Sequence, residues 1–246
     1  MEKTDYIFGI RAVREAINAH RPIDKIIFRK GPTNDLFHEL YMQIKEEGIP
    51  FQFVPLEKLN RITRKNHQGV IAFLSPIEFQ SIADILPAIY EQGKTPLILM
   101  LDQISDVRNF GAIVRSAECA GVDAVIIPER GFAGISGDAV KTSAGALFNL
   151  PVCRSDNLNS TIGFLKESGL TIVAATEKSD VLYTSVDMAK PLVIVMGSEE
   201  KGISPQILAN CDIRASIPVM GKIRSLNVSV ACSVMIYEAV RQRACQ

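Results

Sequence analysis

Polar side chains that could hold or activate a ligand occur in three stretches of this sequence, each close behind an apolar run. The stretches are NFGAIVRSAECAG, GSEEKGIS and GKIRSLNVSV, and their candidate residues are Asn109, Arg115, Glu199, Ser225 and Asn227. Amides and hydroxyls orient a bound group, a carboxylate accepts hydrogen bonds, and a guanidinium donates several. Together they could bind a polar ligand and stabilise charge that develops on it.

Each candidate also has a purely structural interpretation, which the residues alone leave open. Asn109, Ser225 and Asn227 are of types that cap helices, Glu199 could be a capping acid, and Arg115 could be a solvated surface residue. Two observations favour a ligand site. The helix predicted around Arg115 is mostly apolar, so its arginine is expected to have a partner. Ser225 and Asn227 precede an apolar helix, whose N-terminus favours an anion.

The elements that must position these residues alternate between strand and helix from Pro96 onward. Apolar runs predict strands at 97–101, 124–128, 171–175, 192–196 and 213–218, and helices at 110–120, 137–147, 158–168, 204–210 and 227–243. This alternation is typical of an α/β fold with a parallel sheet covered on both faces. Ligands bind such sheets beyond the carboxyl ends of the strands, where the three stretches lie. The last helix is apolar nearly all round, which indicates burial or an oligomer interface.

Residues 1–76 have the pattern of a smaller α/β domain. Helices are predicted at 7–20, 35–47 and 56–63, with strands at 25–30, 50–55 and 69–76. Residues 77–94, punctuated by proline and glycine, are interpreted as a linker that contains a helix at 81–91. Residues 95–246 would form the second domain.

Composition and charge exclude few classes of protein. The 246 residues are 47% apolar, and 27 Lys and Arg balance 27 Asp and Glu, so global charge does not indicate nucleic-acid binding. Residues 1–75 nevertheless carry 12 Lys and Arg against nine Asp and Glu, so we expect an anionic partner to meet the N-terminal part.

Histidine and cysteine chemistry is not indicated. All three histidines lie within the first 67 residues, and the five cysteines form no CxxC pair, so neither a metal site nor a disulfide framework is expected. The N-terminal sequence lacks the apolar run of a signal peptide. These features are typical of a cytoplasmic protein without a metal.

The turn GSEEKGIS contains two glycines that bracket two acids and a lysine, but it matches neither common nucleotide-binding motif. It contains neither GxGxxG nor GxxxxGK[ST], which disfavours a nucleotide-dependent oxidoreductase. Its backbone NH groups could still hold a ligand.

In order and spacing, the three stretches resemble the motifs of the SpoU (TrmH-like) family of RNA ribose 2′-O-methyltransferases. NFGAIVRSAECAGVDAVIIP is similar to the first motif, LVIVMGSEEKGIS to the second and SIPVMGKIRSLNVSVACSVMIYEAVRQR to the third. YIFGIRAVREAI and NHQGVIAFLSP resemble the two ends of the ribosomal-protein-like RNA-binding domain of the ribosomal-RNA guanosine methylases. The resemblance therefore covers nearly the whole chain.

The resemblance implies a parallel-sheet SPOUT methyltransferase domain with a C-terminal trefoil knot, in a homodimer with its active sites near the interface. It implies S-adenosylmethionine as cofactor, and the catalytic set is then Arg115, which would act on the ribose hydroxyl, with Asn109, Glu199, Ser225 and Asn227. The residues expected around the cofactor are Gly197, Ile217, Leu226, Ala174, Ala175 and Thr176.

The sequence departs from the family pattern in ways that bear on RNA contacts. Val107 and Arg108 stand where many members carry a proline, Ser198 replaces a common asparagine, and GKIRS is unusually basic. The expected RNA-binding residues are Arg11, Arg14, Arg61, Arg64 and Lys65 in the first domain, and Arg108, Lys222 and Arg224 in the second.

The activity implied is methylation of a ribose 2′-hydroxyl in structured RNA, with a guanosine of 23S ribosomal RNA as the favoured target. The alternatives are transfer RNA, another ribosomal-RNA site including those of resistance methylases, and a non-catalytic RNA-binding or assembly protein on the same fold. Because a guanidinium keeps its proton at ordinary pH, Arg115 is expected to stabilise an oxyanion rather than act as a general base.

Overall fold

The computed structural model describes residues 6–31, 35–223 and 225–244 of the chain. These residues form two compact units, one of residues 1–78 with 135–137, the other of residues 79–134 with 138–246. Within the described ranges, no helix has the length and hydropathy needed to cross a bilayer, and no group of three or more His, Cys, Asp and Glu side chains is arranged to hold a metal.

The first unit is a four-stranded sheet with helices on both faces. Its elements are β1 (Tyr6–Phe8), α1 (Ile10–Asn18), β2 (Ile23–Arg29), α2 (Asp35–Glu46), β3 (Phe51–Val54), α3 (Leu56–Ile62) and β4 (Val70–Leu74). The strand order is β1-β4-β2-β3, and only the β2–β3 pair is parallel. Side chains at helical spacing from α1, such as Val13 and Ile17, pack with Phe28 and Leu40 in the larger core. Leu59 of α3 packs in a smaller core cluster with Ile27 and Ile71.

The second unit is a six-stranded, wholly parallel sheet. Its elements are α4 (Ile82–Glu91), β5 (Leu97–Leu101), α5 (Val107–Cys119), β6 (Ala124–Pro128), α6 (Gly137–Thr142), β7 (Val152–Ser155), α7 (Leu158–Glu167), β8 (Thr171–Ala175), β9 (Leu192–Met196), α8 (Pro205–Asn210), β10 (Ile213–Ala215) and α9 (Val228–Arg243). The strand order is β10-β8-β9-β5-β6-β7. Strands β5 and β9 are buried along their whole length, as expected for central strands covered on both faces.

Two predicted helices have clearly different bounds in the structure, and two observed strands were not predicted. The helix predicted at 7–20 begins only at Ile10, because Tyr6–Phe8 pairs with β4 as an edge strand. The helix predicted at 137–147 ends at Thr142, where Ala144 and Gly145 adopt left-handed backbone conformations. Strand β7 was not predicted, since its four residues include the polar Arg154 and Ser155 and give no apolar run.

The helix predicted at 81–91 within the connecting segment is α4. Its buried residues Ile82, Leu86 and Ile89 belong to the core of the second unit, together with side chains of α7 and α8. On the other face of the sheet, α9 contacts α5, β8 and β9. This arrangement fixes the start of α9 near the loops that follow β5 and β9.

Candidate active site

The three sequence stretches meet in the second unit through a set of hydrogen bonds centred on Asn227. The Nδ2 of Asn227 donates to Oδ1 of Asn109 over 3.0 Å and also to Oε1 of Glu199. The same Glu199 oxygen accepts a bond of 3.4 Å from the backbone NH of Val228. Residues up to 118 positions apart in sequence thus form one hydrogen-bonded group.

This group fixes the orientation of the Asn227 amide. A carboxylate only accepts hydrogen bonds, so the amide nitrogen must face Glu199 and the amide oxygen must point away. That oxygen accepts bonds of 3.0 Å from the backbone NH of Ser229 and 2.6 Å from its hydroxyl, and so caps α9. Asn227 therefore both caps the helix and links the two other motifs.

The turn that carries Glu199 is closed by backbone bonds between Ser198 and Gly202. Their NH and carbonyl groups exchange bonds of 3.1 and 2.9 Å, and the Ser198 hydroxyl accepts from the NH of Lys201. A Cβ on Gly197 would lie 2.1 Å from backbone atoms of Gly202 and Ile203. Only glycine permits this close approach, which sets the position of Glu199.

Asp102, which the sequence analysis missed, holds the other end of that turn. It is 5% exposed, and its Oδ2 accepts a bond of 2.7 Å from the backbone NH of Ser204 at the start of α8. Its own NH donates to the carbonyl of Met196 at the end of β9. An acid directly after the apolar run of β5 was the available signal, because carboxylates at that position rarely remain buried without a partner.

A cavity of about 440 Å³ opens beside this group, at the carboxyl ends of β8, β9 and β10. Five of the six residues expected around the cofactor line it: Ala175, Thr176, Gly197, Ile217 and Leu226. Ala174 does not, because it is wholly buried within β8. Three acids and two lysines that the sequence analysis did not assign to the cofactor also line it: Glu177, Glu199, Glu200, Lys178 and Lys201.

A second cavity, of about 450 Å³, lies beside the first. Its walls include Asp106 and Asn109 from the loop after β5 and start of α5, and it shares Glu199 and Val228 with the first cavity. Glu199 is therefore accessible from two adjoining spaces, and only its Oε1 is hydrogen-bonded by the described residues.

Arg115 does not join this group within the single chain, contrary to the expectation that it has a partner. It is exposed on α5 and makes no hydrogen bond or ion pair with another described residue. It shares an exposed face with Arg108, which lies two turns earlier on the same helix. The apolar neighbours that suggested burial, such as Val114 and Ala117, face the core instead.

The remaining expected residues are distributed unevenly. Ser225 is exposed and lines the first cavity, without a hydrogen bond to another described residue. Lys222 is exposed, and Arg224 lies outside the described residues. In the first unit Arg11, Arg61, Arg64 and Lys65 are exposed, whereas Arg14 is half-buried and forms an ion pair of 3.3 Å with Glu39.

The fold and the site together define an α/β protein with a ligand-sized cavity at the carboxyl edge of a parallel sheet. Residues 96–237 match the SpoU rRNA methylase family, and residues 6–80 match the substrate-binding domain of RNA 2′-O ribose methyltransferases. The chain therefore belongs to the SpoU family and is an RNA methyltransferase.

Relatives of similar length support this assignment. A Bacillus subtilis protein, YacO, assigned to the TrmH family of tRNA/rRNA methyltransferases, is 32% identical over 98% of this chain and 97% of its own. A Staphylococcus aureus protein assigned to the same family is 37% identical over 99% of this chain and 98% of its own.

Solved structures show the same fold. The AdoMet-bound rRNA methyltransferase of Sinorhizobium meliloti aligns with a TM-score of 0.61 at 25% identity, over 96% of this chain and 86% of that one. The SpoU methyltransferase AviRb of Streptomyces viridochromogenes, in complex with AdoMet, aligns with a TM-score of 0.62 at 22% identity, over 98% and 91%.

Proposed function

We propose that this chain transfers a methyl group from S-adenosylmethionine to the 2′-hydroxyl of a guanosine in 23S ribosomal RNA. The observation that carries the proposal is the hydrogen-bonded group of Asn109, Glu199 and Asn227, which joins all three family motifs beside a ligand-sized cavity. A match over both units and across nearly the whole length of its relatives supports a catalytic role rather than that of a non-catalytic protein of the same fold.

The first cavity suits the chemistry of the cofactor. S-adenosylmethionine has an apolar adenine face, two ribose hydroxyls, a carboxylate and two positive groups, the ammonium and the sulfonium. The cavity offers the apolar side chains of Ile217 and Leu226, and the carboxylates of Glu177 and Glu200 for the hydroxyls and cations. When bound there, the sulfonium supplies an electrophilic methyl group, so the protein needs chiefly to orient the reactants.

The chain's own residues position the acceptor. Asn227 holds Asn109 and Glu199 in one arrangement, and Glu199 faces both cavities. With Oε1 already engaged, Oε2 of Glu199 is the oxygen placed to accept a hydrogen bond from the ribose hydroxyl. The second cavity is the space in which that ribose would lie.

Arg115 stabilises negative charge on the attacking oxygen in this proposal. Its exposure on α5 fits a site that is completed in a homodimer, because the adjoining face of α9 also leaves large apolar side chains uncovered. Tyr237 is 48% exposed and Val230 is 49% exposed on that face. The trefoil knot and a cytoplasmic location stay predictions.

The Arg115→Ala variant tests the assignment. It should bind S-adenosylmethionine as the wild type does but lose methyl transfer by about 100-fold, since one charge-stabilising donor contributes a few kcal/mol. Titration calorimetry and transfer of tritiated methyl groups to ribosomal RNA measure the two quantities. The Arg21→Ala variant removes an exposed arginine of the first unit as a control. Near-normal turnover of Arg115→Ala would contradict the role.

The target is tested by comparing 2′-O-methylation across ribosomal and transfer RNA in cells with and without the gene. Loss of one guanosine methylation in 23S RNA is the expected result. Loss of a methyl group from transfer RNA instead would identify transfer RNA as the substrate. An unchanged methylation map would favour a non-catalytic assembly protein.

A further inference from the structure

The first unit contains a cleft of about 830 Å³ that no residue of the proposed active site lines. Its walls come from the start of α1, the end of β2, the starts of α2 and α3, and the segment 65–69. Three cations line it, Arg11, Arg29 and Lys65, and none of its described lining residues is acidic. Asp35 lies directly before Leu36 and Glu57 directly after Leu56, but neither acid lines the cleft.

The cleft combines these cations with apolar surface. Leu36 and Leu56 are each 40% exposed, and the buried Ile10 and Phe37 also line the cleft. A phosphate group makes no apolar contacts, so it would not explain the exposed leucines. An RNA duplex is too broad to enter a concave space. A single unpaired nucleotide needs both features, because its base has apolar faces and its phosphates are anionic.

The segment 65–69 is held rigidly against the rest of the unit. Oε1 of Gln68 accepts a bond of 3.0 Å from the NH of Ile10 at the start of α1, which leaves the Gln68 amide NH₂ for another partner. His67 is buried, with Nδ1 accepting from the NH of Gly69 and Nε2 bonded to Asn60. Gln68 and Gly69 both have positive φ, and Arg29 lies across Gly69, within 3.5 Å of where a Cβ would stand. A cleft formed in advance loses little conformational entropy on binding.

We infer that this cleft binds one unpaired nucleotide of the RNA substrate, with Arg11 and Lys65 on its phosphates and the amide of Gln68 at the edge of its base. The inference rests on the proposed function, since it takes RNA to be the substrate. It also divides the cations that were expected to bind RNA. Arg11 and Lys65 line the cleft, together with Arg29, whereas Arg14 is paired with Glu39 elsewhere.

The test measures binding of the full-length protein to three RNA hairpins that differ at one position: a single bulged nucleotide, an abasic bulge, and a fully paired stem. The wild type should bind the bulged hairpin about tenfold more tightly than the other two. Fluorescence of 2-aminopurine at the bulge should also change on binding, which reports entry of the base.

The Arg11→Ala and Lys65→Ala variants should remove most of that preference and lower the salt dependence of binding by about one released ion each. The Arg21→Ala variant, an exposed arginine outside the cleft, should keep it. Thermal melting checks that each variant folds. Equal binding of the three hairpins by the wild type, or wild-type preference in the cleft variants, would overturn the inference.

The same proteins are assayed for methyl transfer to ribosomal RNA, so that the two ideas can fail separately. If the wild type transfers methyl groups and the cleft variants do so equally well, the inference about the cleft is rejected and the proposed function is kept. Absence of methyl transfer to any RNA by the wild type would reject the proposed function itself.

Discussion

At the scale of the residue, Asn227 shows how one side chain caps a helix and also joins two other loops. Its oxygen caps α9, and its nitrogen donates to Asn109 and Glu199. A serine or aspartate would cap the helix equally well, so capping does not by itself explain an asparagine. The asparagine is explained by the need for a hydrogen-bond donor and an acceptor on the same side chain.

The Asn227→Asp variant separates the two roles. The carboxylate keeps an acceptor for Ser229 but loses both donors and lies beside Glu199, so methyl transfer should fall about 10- to 100-fold, as expected for a lost hydrogen bond to a charged group. Its melting temperature should fall as well, through repulsion between the carboxylates.

Adding Glu199→Gln to that variant should restore the melting temperature, because a donor again faces an acceptor. Circular-dichroism melting curves of the two single variants and the double variant measure this coupling. Additive effects of the two substitutions would contradict the hydrogen bond between residues 199 and 227.

At the scale of the element, the candidate site depends on loops held by contacts outside the group of Asn109, Glu199 and Asn227. The turn after β9 is closed by Ser198 and Gly202 and tied to β5 by Asp102. The far end of α9 is fixed in a similar way, since Arg243 donates to the carbonyls of Thr95 and Pro96 before β5. Burial lowers the pKa of Arg243 below its ordinary value. Both ends of α9 are thus anchored to the central sheet.

The Gly197→Ala variant should weaken cofactor binding and lower stability. Its Cβ would lie 2.1 Å from backbone atoms of Gly202 and Ile203, so the turn must open, at a cost of about 1–3 kcal/mol. Denaturant unfolding and cofactor titration measure the two effects. Gly163→Ala in α7 is the matched control, because no atom outside its chain neighbours and its own helix backbone lies within 4 Å of its new Cβ. Normal cofactor affinity in Gly197→Ala would contradict the role of the turn.

The end of α9 should also make stability depend on pH. Hydrogen bonds from Arg241 and Gln242 hold the pKa of Glu238 below its ordinary value, although burial acts to raise it. A carboxyl whose pKa is lower in the folded state contributes stability above its unfolded pKa and loses it as pH falls through the folded one.

Glu238→Gln should therefore lower the melting temperature at neutral pH, and by less in acid. Melting curves at about pH 7 and about pH 3 measure the difference. The exposed Glu167→Gln is the control, with little effect expected at either pH. An equal loss at both pH values for Glu238→Gln would show that its charge is not involved.

At the scale of the whole molecule, one face of the second unit has the character of an interface. Val230 and Tyr237 of α9 are about half exposed, and Leu226 just before them is 40% exposed. Exposed apolar side chains on one face are typical of surfaces that a partner covers. Arg108 and Arg115 are exposed on α5, which packs against α9, and we therefore propose that a homodimer completes the site.

Val230→Glu should therefore convert a dimer to a monomer and reduce methyl transfer. Sedimentation equilibrium measures the association state at concentrations used in the assay. Val181→Glu places the same charge on another exposed valine of the second unit and should leave the dimer intact. A wild-type monomer that is fully active would contradict the proposal.

Much of the fold could be predicted from the sequence, because it depends on local pattern. Runs such as LILML and LVIVM gave β5 and β9 at their observed bounds. The edge strand β7 could not be found, since its four residues include Arg154 and Ser155 and give no continuous apolar run. The three motifs were also found in the sequence, and the family resemblance implied six residues around the cofactor, five of which line the first cavity.

The tertiary structure alone decided which of these residues meet. Hydrogen bonds of about 3 Å between residues 118 positions apart depend on strand order, and strand order is not encoded in any local stretch. For the same reason the sequence could not place Arg115 outside the group, or Asp102 beneath the turn. The residue types determined which hydrogen-bond donors, acceptors and charges were present. The packing of β5, β9 and α9 determined which of these side chains lie together.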